Sequence, residues 1–160
     1  MKPFLYLFSI IICSSCHFSK GVKKDLNTGL SASYNGFAMD DIYLADESGT
    51  RLSSNKIPMG SKVLVIATGV NYFSEKENKV FPGCRIILTD KEHKEILNLP
   101  DAFADMKDGI EASQAKTLQA QLNTGNPMTI GKTYQLNVKF FDKNNPGNEI
   151  IANVDLIMKE

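Results

Sequence analysis

Polar and apolar residues trade places most regularly in the last third of the chain. Across residues 133–141, Tyr134, Leu136, Val138 and Phe140 point one way, and Thr133, Gln135, Asn137 and Lys139 the other. Residues 149–159 repeat the pattern with Ile150, Ala152, Val154, Leu156 and Met158. A period of two is that of a strand with one buried face. The intervening stretch 142–148 is rich in Asn, Pro and Gly, the residues of tight turns. Together they predict an antiparallel hairpin with one wet face.

The same reading carries upstream. In residues 40–46, Ile42 and Leu44 oppose Asp41, Tyr43 and Ala45, and residues 47–49 turn the chain. Residues 62–67 are β-branched and nearly all apolar, as in a strand covered on both faces. Residues 85–89 and 94–97 form a second hairpin about the charged turn 90–93. Residues 99–111 read as a loop, with one helical turn started by Asp101. Residues 112–122 fit both periods, and a helical turn followed by a strand over 117–123 is preferred. Short strands, closely spaced turns and no βαβ alternation predict an all-β, antiparallel sandwich over residues 34–160.

The front of the chain obeys other rules. Lys2 is followed by an almost unbroken apolar run over residues 4–12, well short of the ~20 residues that cross a bilayer. Then comes Cys13-Ser14-Ser15-Cys16. A charged start, an apolar centre and small residues at the end make a secretion signal. Small residues directly before a cysteine resemble the leader of bacterial lipoproteins. That resemblance implies cleavage after residue 15 and acylation of Cys16. It also implies attachment to the cell envelope by lipid. His17 stands where an Asp can favour inner-membrane retention, which tilts the expectation to the outer membrane. Residues 16–33, dominated by Ser, Gly, Asn and Lys, read as a tether, with Lys20, Lys23 and Lys24 most simply solvated.

Charge and cysteine content then narrow the chemistry. The chain holds 18 basic and 18 acidic residues, and the leader removes only Lys2. No basic excess is available for nucleic acid. Once Cys13 has left with the leader and Cys16 is acylated, Cys84 is alone and no internal disulfide can form. Cys84 reads as a small buried strand residue. The chain has two histidines. His17 would sit beside the lipid, and His93 lies about 30 Å from Cys84 along an extended strand at ~3.3 Å per residue. Too few Cys and His ligands remain for zinc. No cofactor is expected, and the chain reads as a non-enzymatic module that either binds a protein partner or forms a structural part of an envelope assembly.

The carboxylates offer one alternative. Asp101, Asp105, Asp108 and Glu111 fall in one loop with Gly109, and oxygen ligands on a loop suit calcium. Their spacing does not match an EF-hand, and a solvated loop capped by Asp101 is the simpler reading. The alternative is a calcium or carbohydrate module using loop 99–111. Trp is absent, but Phe141 falls on the polar face of its strand, where it either forms a contact surface or is covered by a neighbour. Finally, residues 131–138 are similar to the penultimate strand of immunoglobulin-like and fibronectin-like sandwiches. In those folds a Tyr near the start of that strand closes a corner on the backbone, which gives Tyr134 that role by resemblance. The paired cysteines and core Trp of antibody domains are missing.

Overall fold

A computed structural model describes residues 19–160. The leader and Cys16 lie outside the described residues. Ten strands follow one another there: β1 (Lys20–Lys24), β2 (Ser31–Asn35), β3 (Asp41–Ala45), β4 (Lys56–Pro58), β5 (Lys62–Thr68), β6 (Pro82–Thr89), β7 (Glu95–Leu99), β8 (Thr117–Asn123), β9 (Thr133–Asp142) and β10 (Glu149–Lys159). A short 3-10 turn, Gln114–Lys116, leads into β8. The order of the larger sheet is β1-β2-β10-β9-β6-β7, with β4 added in parallel beside the end of β10. The smaller sheet is β3-β5-β8. All other strand pairs are antiparallel.

This is a β-sandwich, and its topology is immunoglobulin-like. The run β3-β5-β8 takes the A-B-E places of one sheet, and β6-β9-β10 the C-F-G places of the other. Between β3 and β5 the chain crosses to the larger sheet as β4 and returns. The core lies between the two sheets. Ile42, Leu44, Val63 and Val65 of the smaller sheet meet it from one side, and Ile86, Leu136, Phe140 and Leu156 of the larger from the other. All eight are almost wholly buried. Alternation in β8, β9 and β10 is regular because each has one face on the core and one in water.

The apolar run in β5 has its own reason. Val63, Val65 and Ala67 face the core, while Leu64 and Ile66 form a second cluster with Ala45 on the outer face. Tyr43 packs against that cluster, and the Arg51 guanidinium lies 4.1 Å above the Tyr43 ring. Arg51 also pairs with Asp41 and sits 3.9 Å from the Asp25 carboxylate, which ties the β1–β2 turn to the smaller sheet.

Two expectations change. The span 16–33 is not a plain tether: β1 and the start of β2 fall within it. Leu30, Ala32 and Thr28 are buried, and β2 pairs with β10 from Glu149↔Asn35 to Asn153↔Ser31. The domain therefore begins by Lys20, fourteen residues before the expected boundary at 34. Loop 99–111 also starts later, because β7 runs through Leu99.

Phe141 is half-buried on the outer face and lies over the backbone of Gly83. It pairs directly with Gly83, and its ring lies so close that a Cβ on Gly83 would meet it at 2.3 Å. Tyr34 covers Gly21 in the same way across β1 and β2. In both pairs an aromatic ring supplies the apolar cover that a glycine in a strand lacks.

Candidate functional site

Asp101 stands where β7 ends and β6 continues. Leu99 is the last β7 residue to pair, opposite Ile86, so the free edge of Cys84 needs other partners. Asp101 supplies one. Its Oδ1 accepts from the Cys84 N–H at 3.0 Å and from the Phe103 N–H at 2.9 Å. Its Oδ2 pairs with Lys143 Nζ at 2.7 Å, and Lys143 also donates to the Phe103 carbonyl at 3.0 Å. Phe103 then stacks on Phe140, with ring centroids 6.2 Å apart. Burial pushes the Asp101 carboxyl up, but Lys143 and the two backbone N–H groups outweigh it and hold the group below its usual range.

Both Asp101 oxygens are thus engaged in closing the end of the sandwich. Asp105, Asp108 and Glu111 are exposed, and among the described residues their carboxylates make no hydrogen bond or ion pair. The four acids do not converge. Among the described residues no group of three or more His, Cys, Asp or Glu side chains is placed to hold a metal ion. Asp142 at the end of β9 is likewise structural: it is buried and accepts from Ser74 N–H at 2.7 Å and Asn144 N–H at 2.9 Å.

Cys84 is fully buried. Burial, and secondly the Asp101 charge, push its thiol up to about 12, so it stays protonated at neutral pH. His93 sits at positive φ in an exposed turn, at the far end of β6 from Cys84. Beside that turn, Asp90, Lys91, Glu92, Lys132, Thr133 and Tyr134 line a cleft of about 400 Å³. Charges of both signs face it, and Asp90 is already accepting from the N–H groups of Glu92 and Lys94. The Tyr134 hydroxyl accepts from Thr129 N–H at 2.9 Å, five residues upstream, closing the corner before β9.

Among the described residues both sheets end in strands with an unpaired side. β7 ends the larger sheet, and no described strand pairs with its outer side. By register Leu97 and Leu99 share the core-facing side with Leu88 and Ile86. The smaller sheet, three strands wide, does not reach over them, so they stay 36% and 39% exposed. Sequence reasoning found this strand as a hairpin partner but missed its exposure, since the width of the opposing sheet is set by distant residues.

No family model matches the chain, and no curated protein matches it. Among solved structures it is similar to the PmoD soluble domain from Methylocystis sp. ATCC 49242 (Rockwell). The two share 13% identity over 86% of this chain and 95% of that one, with a TM-score of 0.37.

Proposed function

We propose that the chain is a lipid-anchored, non-enzymatic sandwich of a bacterial envelope that binds an extended segment of a protein partner along β7. The observation that carries this is the free edge of β7 with Leu97 and Leu99 beside it. An unpaired strand offers a row of N–H and C=O groups, and alternate side chains beside it give pockets for a partner strand. Proteins commonly blunt such edges with lysine. β1, the opposite edge, has Lys20, Lys23 and Lys24; β7 has no lysine, only Glu95 beside a bulge at its start.

The lipobox-like residues before Cys16 support the anchor, and His17 after it favours the outer membrane. The calcium or carbohydrate reading of loop 99–111 gains nothing from the geometry, because Asp101 is already engaged. The test is a photo-crosslinking side chain placed at Leu97 on the core-facing side of β7 or at Gln119 on β8, in living cells. Protein adducts should form from position 97, be absent from Gln119 and be lost when L99K is added. Equal labelling at both positions, or labelling unaffected by L99K, would refute the role of β7.

A further inference from the structure

Six of the basic side chains gather on one face, although the whole chain has no net charge. Residues paired across a sheet share a side. The register therefore puts Lys20, Lys24, Lys56, Arg85, Lys139 and Lys159 on the outer face of the larger sheet. Lys139 is paired with Glu149 at 2.5 Å. The other five are exposed, and among the described residues none makes an ion pair or a side-chain hydrogen bond. The unpaired acids there are Asp155 and Glu95. Between the cations lie Val22, 66% exposed, and the half-buried Ile87, Ile151 and Ile157. Guarding of the β1 edge accounts for Lys20 and Lys24. It does not account for Arg85, which stands on an interior strand of the sheet.

The start of the domain gives this face a location. With β1 beginning at Lys20, four peptide steps separate it from Cys16, a reach of at most about 14 Å. A chain acylated at Cys16 therefore cannot stand clear of the bilayer. Its β1 edge is held within one or two Debye lengths of the headgroups, close enough for exposed cations to be attracted.

We propose that the outer face of the larger sheet, entered from β1, rests on an anionic lipid surface. This rests on the lipid-anchor reading above. Lysine and arginine side chains meet the headgroups, and Val22 enters the interface. The smaller sheet and the core-facing side of β7 are left turned away, open to a protein partner.

The chain contains no Trp, so a single introduced one reports a single place. The full chain, made in a bacterium, is reconstituted into phosphatidylethanolamine vesicles with a minority of phosphatidylglycerol. One version carries V22W on the outer face of β1, and the other Q119W on the outer face of the smaller sheet. V22W emission should shift to the blue and be quenched by a headgroup-nitroxide lipid, while Q119W should do neither. Each cation removed should lower the docked-to-undocked ratio about fivefold. K20Q/K24Q/R85Q should therefore return V22W to its solvent spectrum, as should vesicles without the anionic lipid. Equal response of the two probes, or a V22W signal indifferent to charge, would overturn the proposal. The mass of the N-terminal peptide separates it from the anchor reading. Acylated Cys16 with V22W unquenched removes the docking and keeps the anchor. Unmodified Cys16 with V22W quenched on anionic vesicles keeps the docking and removes the anchor. Unmodified Cys16 with V22W unquenched removes both.

Discussion

Replacing Asp101 by Ala should cost this domain about 3 kcal/mol, most of it from one backbone group. In D101A the Cys84 N–H, in a fully buried strand residue, loses its acceptor, and an unsatisfied buried donor costs about 1–3 kcal/mol. The Phe103 N–H lies nearer to water and recovers part of its loss, leaving about 0.5 kcal/mol. The Lys143 pair is partly exposed, with side chains 28% and 23% accessible, so screening holds it below about 1 kcal/mol. D101N keeps an oxygen for both donors and loses only the charge, which predicts a smaller cost of about 1 kcal/mol. Urea unfolding followed by circular dichroism measures both. The pH dependence supplies a sharper check. The folded-state carboxyl titrates below the ordinary aspartate range, so the unfolded chain takes up the proton first as pH falls. Its contribution is complete above about pH 5 and is lost as pH falls below ~4 through the folded-state value. The gap between the parent and D101N should therefore be full at pH 7 and shrink towards zero in acid. A D101A chain within about 0.5 kcal/mol of the parent, a margin usual for inert surface changes, would refute the reasoning. So would a D101N gap that does not change with pH.

Two further outcomes follow from the same structure. Y134F removes the bond to Thr129 N–H and should lower stability by about 1 kcal/mol, a few degrees in a thermal melt; an unshifted melt would deny the corner its role. The Cys84 thiol, pushed up to about 12, should resist alkylation in the folded protein and react as urea unfolds it, read by mapping the Cys84 peptide; rapid labelling without denaturant would contradict its burial.

The strands legible in the sequence are those whose side chains alternate between core and water. The β9–β10 hairpin follows from its pattern, and so does the helical turn before β8, because Leu118, Ala120 and Leu122 all enter the core between the sheets and Ala115 is buried ahead of them. β1 was invisible for the opposite reason. It is an edge strand with Gly21 at its centre, fixed by backbone pairing to β2 and by Tyr34 lying over that glycine. Neither contact leaves a periodic trace in Lys20–Lys24. Asp101 was legible as chemistry but not as a role. A carboxylate closing a sheet end and one awaiting calcium have the same local sequence, and what separates them here is Lys143, some forty residues away. The exposure of Leu97 and Leu99 depends on where the opposing sheet stops, which no window around β7 contains.

The edge of β10 is shared: Ser31–Asn35 lies along its first half, antiparallel, and Lys56–Pro58 along its last turn of chain, parallel. β10 is also the last of the described strands. The β1–β2 hairpin can form by itself, but its place in the sheet depends on residues more than a hundred positions further on. Loop closure over most of the described residues must therefore precede that pairing, which makes the seam between β2 and β10 a late step in assembling the sandwich.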